Sequence, residues 1–273
     1  MKITFIGGGN MAKALLGGLI KRGYSSSKMH VVEVCKEKCV ELHNEFGVRA
    51  STELAASVMH CEALILAVKP QQLQEIALQL APLIDGRLVI SIAAGVRTQD
   101  LARWLGTHNI VRCMPNTPAL IRSGVTALYA MPAVKPEQCH RAESVLSAVG
   151  NTLWVEDEEM LDAVTAISGS GPAYVFYFVE AMQQAAYELG LEEEQARQMV
   201  LDTFIGACKL AESSKEEVAT LRARVTSKNG TTERALLSME SNRVKQDIVD
   251  AIHAAAARSK EMGDELGKDA DVK

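Results

Sequence analysis

The chain has 273 residues, which exceeds one ordinary domain, predicts two, and leaves enough sequence to bury a sizeable core. Its 34 acidic and 29 basic side chains are interleaved and give a formal net charge of -5. That balance excludes the basic stripe of a nucleic-acid binder and the polybasic segment of a membrane-surface protein.

In chain order, Lys2–Ile6 reads as a short apolar strand, and Gly7-Gly8-Gly9 ends it too soon for a signal peptide. A helix is predicted over Asn10–Arg22 and stops at Gly23. His30–Val34 is the next strand and Glu37–Phe46 a helix closed by Gly47. Ala63–Val68 is apolar without alternation, as in a strand covered on both faces, and Pro70 separates it from a helical pattern over Gln71–Leu83. Leu88–Ile92 repeats the buried-strand pattern, followed by a helix at Gln99–Leu105 and a strand at Ile110–Cys113. Val125–Tyr129, a helix over Pro136–Val149, and Thr152–Val155 complete the alternation, which implies a mostly parallel sheet with helices on both faces.

Past Asp157 the strands stop, and segments near 158–167, 172–189, 192–213, 216–225, 231–240 and 243–265 all read as helix. Two of them, 192–213 and 243–265, are apolar over a wide arc and call for burial in a bundle or against another subunit. The polar tail from Gly267 to Lys273 is predicted to fray. The expected fold class is therefore α/β, a doubly wound parallel sheet over 1–156 followed by an all-helical domain over 157–273. No apolar run is long enough to span a bilayer. Cysteines 35, 39, 61, 113, 139 and 208 form no C-x-x-C pair and have no metal-site companions, which predicts free thiols in the cytoplasm and no metal.

Ile6-Gly7-Gly8-Gly9-Asn10-Met11-Ala12 ends a strand and opens a helix, the setting required of a dinucleotide fingerprint. Gly7 serves the tight turn, Gly9 lets the backbone approach a pyrophosphate, and Ala12 allows close helix–strand packing. Glu33 ends the second strand, where an acid binds the ribose 2′-hydroxyl of NAD; Lys36 and Lys38 follow and could bind a 2′-phosphate instead. The residues leave NADPH and NADH both open. Val68-Lys69-Pro70, Ala93-Ala94-Gly95 and Asn116 sit at later strand ends and outline the rest of a cofactor cleft. Ser168-Gly169-Ser170-Gly171-Pro172-Ala173-Tyr174 reads as a small-residue loop feeding a helix, with donors ahead of Pro172 free for a second anion.

With these segments in this order, the chain resembles the pyrroline-5-carboxylate reductase family. The resemblance rests on residues 5–12, 67–70, 91–96 and 114–118, and above all on Asp162–Tyr174 and Val225–Thr232. It implies reduction of the C=N bond of 1-pyrroline-5-carboxylate to L-proline with NADPH or NADH. It also implies an N-terminal Rossmann domain and a helical domain that forms an intertwined homodimer, often built into rings. Carried over by motif, Ser227, Gly230, Thr231 and Thr232 form the substrate loop, with the Thr232 hydroxyl near the ring nitrogen as the catalytic group. Backbone donors at Gly230 and Thr231 are expected to hold the substrate carboxylate. Ser168 and Ser170 become part of the substrate pocket, the wall from which the helical domain starts. Asn229 stands where the family usually has a glycine, and Asn tolerates left-handed backbone well.

Two rivals stand beside this expectation. A β-hydroxy-acid dehydrogenase would need a lysine or acid inside the helical-domain motif, where this chain has Ser and Thr. A non-catalytic dinucleotide sensor would have no use for the Ser227–Thr232 loop.

Overall fold

The computed structural model describes residues 1–268; the end of the predicted frayed tail, 269–273, lies outside the described residues. One sheet contains β1 (Ile3–Ile6), β2 (Met29–Val32), β3 (Arg49–Ser51), β4 (Ala63–Leu66), β5 (Leu88–Ser91), β6 (Ile110–Met114), β7 (Gly124–Ala130) and β8 (Gly150–Trp154). The order is β3-β2-β1-β4-β5-β6-β7-β8. All neighbours run parallel except β6 and β7, which pair antiparallel. The order reverses between β1 and β4, and ligands of doubly wound sheets bind at such a point.

Fully buried runs explain the parallel core: β1, β4 and β5 bury every residue, as strands covered on both faces must. One face carries α1 (Asn10–Lys21), α2 (Lys36–Phe46) and, further along, α6 (Pro136–Leu146). Leu15, Leu16, Leu42 and Val145 there meet Phe5, Ile65 and Ile90. The other face carries α3 (Leu54–Val58), α4 (Pro70–Leu80) and α5 (Thr98–Leu105), whose Val58, Leu73, Leu80 and Leu101 pack on Leu64, Leu66 and Val89.

The chain divides into two compact units. The first holds Met1–Ser170 together with the segment from Ala255; the second is Gly171–Ala254. The sequence expectation put a single division at 156/157. Two additions account for the larger first unit. Its helical extension is α7 (Met160–Val164) and a π-helical turn at Thr165–Gly169. The end of α12 (Val244–Leu266) also belongs to it. There Ser259 Oγ donates to Asp162 Oδ1 (2.6 Å), Arg97 pairs with Asp264 (2.7 Å), and Leu266 packs on the core below α4 and α5.

The second unit is helical: α8 (Gly171–Glu188), α9 (Glu193–Ser213), α10 (Val218–Arg224), α11 (Thr231–Ser241) and the start of α12. From α8 through α11, only Ala186, Ala196 and Val200 are buried. Among the described residues no helix is long and apolar enough to cross a membrane.

Candidate active site

In the first unit the carboxyl ends of β2, β1, β4 and β5 are level, because Val32, Ile6, Leu66 and Ser91 occupy paired register positions. The loops that follow therefore gather at one edge. Gly7 has φ +98°, and a Cβ there would lie 2.6 Å from the Ala67 carbonyl oxygen and 3.0 Å from Val68. Only glycine lets these two loops touch. A Cβ at Gly9, by contrast, would meet nothing within 4 Å. Gly9 is the N-cap of α1 and no side chain caps that end. The first-turn donors and the positive end of the helix dipole are left for an anion. This arrangement fits a dinucleotide pyrophosphate. Ala12 is buried against the sheet, while Asn10 is exposed and Met11 half-buried at the mouth.

Glu33 lies across the same loop. Its Oε2 accepts the Gly8 N–H at 3.1 Å, its Oε1 accepts the Cys35 N–H at 3.3 Å, and its backbone carbonyl accepts the Cys39 thiol. Lys69 is the exposed N-cap of α4, with Pro70 in the first turn where its missing N–H costs nothing. Ala93 is buried at the β5–α5 turn. Gly95, expected to face the cofactor, has φ +80°, and a Cβ there would press on Leu266 at 3.1 Å and Met262 at 3.4 Å. The left-handed backbone favours glycine there, and α12 packs beside it.

Asn116 and Ser168 hold each other: Asn116 Nδ2 donates to Ser168 Oγ (3.2 Å), and Asn116 Oδ1 accepts the Val125 N–H (3.0 Å). Ser168 lies in the π-helical turn, not in a loop, and Ser170 keeps right-handed helical angles. Here the structure corrects the expected second anion site, since the Ser170 N–H donates to the Thr165 carbonyl (2.8 Å). Thr165 Oγ1 bonds back to Leu161 O (2.7 Å), a contact that bends helices. A Cβ at Gly169 would displace the end of the Met114 side chain, which packs against this turn.

In the second unit, Asn229 takes φ +63° and Gly230 becomes the N-cap of α11. Asn229 therefore supplies the left-handed turn that glycine would otherwise provide. Glu233 Oε2 accepts the Asn229 N–H (2.7 Å). The Gly230 N–H donates to Ser227 O (3.0 Å), so the expected carboxylate donor at Gly230 is already engaged. A Cβ on Gly230 would lie 2.5 Å from Ser227 Oγ. No side chain caps α11. Thr231 and Thr232 are its first two residues rather than its cap, so their N–H groups are the available donors. Glu158 was not singled out in the sequence because it stands in an acidic run. It accepts both the Thr98 N–H and Arg112 Nη1 at 2.7 Å, joining α5, β6 and the segment before α7.

Residues 158–262 match the family model for pyrroline-5-carboxylate reductase dimerisation, and residues 2–95 match that of the NADP oxidoreductases described as coenzyme F420-dependent. A pyrroline-5-carboxylate reductase of Pseudomonas aeruginosa is 43% identical over 98% of each chain. That of Haemophilus influenzae is 41% identical over 95% of this chain and 97% of its own. The solved reductase of Coxiella burnetii superposes with a TM-score of 0.90 at 39% identity, covering 96% of this chain and 98% of the other. The Plasmodium falciparum enzyme, solved with NADP bound, gives 0.88 at 28% identity with the same coverage.

Proposed function

The chain belongs to the pyrroline-5-carboxylate reductase family, and from that premise we infer that it reduces the C=N bond of 1-pyrroline-5-carboxylate to give L-proline. The nicotinamide cofactor, NADPH or NADH, supplies the hydride when bound. Ile6, Gly7, Gly9, Asn10, Met11 and Ala12 hold its pyrophosphate; Glu33 lies toward the adenosine ribose. Val68, Lys69, Pro70 and Ala93 wall the cleft, and Gly95 and Asn116 act by holding its loops in shape.

The observation that carries the substrate assignment is the free N-terminus of α11, where Thr231 and Thr232 have neither N–H group engaged in a cap. Those two donors take the substrate carboxylate, while Ser227 and Gly230 fix the turn that presents them. Thr232 Oγ1 hydrogen-bonds the ring nitrogen and relays its proton. An imine nitrogen is basic enough to be protonated in water, so a strong general acid is not needed and positioning dominates. Ser168 and Ser170 shape the pocket wall. The functional division at 156/157 is supported by a dimerisation match beginning at residue 158. Assembly as a homodimer or a ring of dimers and a cytoplasmic location complete the proposal, the latter supported by six unpaired cysteines.

A dinucleotide-oxidation assay with 1-pyrroline-5-carboxylate tests this. Turnover is expected with the parent, and Thr232→Val, which keeps the shape and removes the hydroxyl, is expected to lose about a hundredfold in kcat. Parent-like kcat in that variant would remove Thr232 from catalysis. Consumption of cofactor with β-hydroxy acids but not with the imine would reassign the enzyme.

A further inference from the structure

We propose that Glu33 makes this enzyme select NADH over NADPH, by holding a fixed carboxylate where the 2′-phosphate of NADPH would have to sit. The inference rests on the dinucleotide assignment above and concerns which dinucleotide the cleft accepts.

Glu33 follows Val32, which is register-paired with Ile6, so its side chain leaves the sheet beside the glycine loop. Its two oxygens each accept one backbone N–H, from Gly8 at 3.1 Å and from Cys35 at 3.3 Å. Both donors belong to rigid backbone. Gly8 is packed so closely that a Cβ would lie 2.6 Å from Leu42 and 3.3 Å from Glu33 Oε2. Cys35 is the N-cap of α2. The carboxylate is therefore anchored, and to swing away it would have to give up two charge-assisted hydrogen bonds. Each oxygen keeps lone pairs for a further donor. A ribose 2′-hydroxyl has a proton to give them. A 2′-phosphate brings negative charge and little capacity to donate, so it is repelled across a short distance.

The surrounding charges do not offset this. Lys36 and Lys38 are exposed, and the bonds the Glu33 carboxylate makes among the described residues are to the Gly8 and Cys35 N–H groups. Between them Glu37 adds a carboxylate to the first turn of α2, where it accepts the Cys35 thiol (3.0 Å). Glu53, the N-cap of α3, follows the neighbouring strand β3. No arginine stands in 33–39 or 51–54, so the planar donor fork suited to a 2′-phosphate is missing from these segments.

The test is equilibrium binding by titration calorimetry of NADH and NADPH to the parent, to Glu33→Gln and to Glu33→Ser, each variant first checked for a parent-like melting temperature. The parent is expected to bind NADH at least about tenfold more tightly than NADPH. Glu33→Gln is expected to raise NADPH affinity by about tenfold and to close most of that gap. Glu33→Ser should tighten NADPH likewise and weaken NADH, having lost the ribose acceptor. Equal or tighter NADPH binding by the parent overturns the proposal while leaving the reductase assignment standing, and points to Lys36 and Lys38 as phosphate ligands. A parent preference for NADH that survives unchanged in both variants also overturns it. Failure of the parent to bind either dinucleotide overturns the proposal and the cofactor assignment together.

Discussion

Gly7 and Gly9 stand two residues apart in one loop and are glycine for different reasons. A methyl at Gly7 would collide with the Ala67 carbonyl on a backbone that is already left-handed, whereas a methyl at Gly9 would enter open space. Gly7→Ala is therefore expected to lower stability by about 2 kcal/mol or more, read by urea denaturation. Gly9→Ala should melt within a few degrees of the parent yet lose dinucleotide affinity, because its methyl would enter the proposed pyrophosphate site. Parent-like binding by Gly9→Ala would place the pyrophosphate elsewhere. The motif showed both glycines but could not distinguish their roles, since the Ala67 carbonyl comes from a distant strand end. Gly95 illustrates the limit more sharply. It lies at a strand end and looks like a cofactor glycine; its φ of +80° favours glycine in any case, and Met262 and Leu266, far along the chain, pack beside it in a way local sequence does not show.

Among the elements, the buried strands and the long helices were legible because continuous apolar runs and helical periodicity are strong local signals. β3 was missed: at three residues with none buried, Arg49–Ser51 has no hydrophobic pattern to read. The antiparallel direction of β7 was missed because alternation carries no direction. Ser168–Tyr174 looked like a loop because Ser, Gly and Pro signal turns locally. In the fold those small residues admit a π-helical turn that keeps the backbone helical. Glu158 is the joint between elements that sequence could not reveal. It receives the N-terminus of α5 and the Arg112 guanidinium, only 5% exposed. Glu158→Ala leaves that cation buried and unpaired and is expected to cost about 3–5 kcal/mol. Glu158→Gln, which can still accept, should cost less. Equal melting temperatures for the parent and Glu158→Ala would show the pair to be incidental.

At the scale of the molecule, the two units have different sources of stability. The first has a core on each face of its sheet. The second leaves Phe176 at 67% and Tyr177 at 73% exposed, with Val175, Met182, Met199, Ile205 and Leu210 also exposed. Helices this apolar must be covered by something outside the chain, in keeping with the dimerisation match over 158–262. The sequence predicted burial of the wide apolar arcs of 192–213 and 243–265, but did not single out α8 and could not say which residues meet. Phe176→Asp is expected to convert the parent oligomer to a species of one chain's mass in light scattering, with a lower melting temperature. An unchanged mass would exclude this face from the interface.

The proposed activity is reduction of a cyclic imine to L-proline by a nicotinamide dinucleotide. The most direct test is the yield of L-proline against dinucleotide oxidised when the purified protein is given 1-pyrroline-5-carboxylate. One L-proline per dinucleotide oxidised is predicted, with NADH as the preferred donor. Failure to form L-proline with either NADH or NADPH, from a protein that folds and binds dinucleotide, would contradict the assignment.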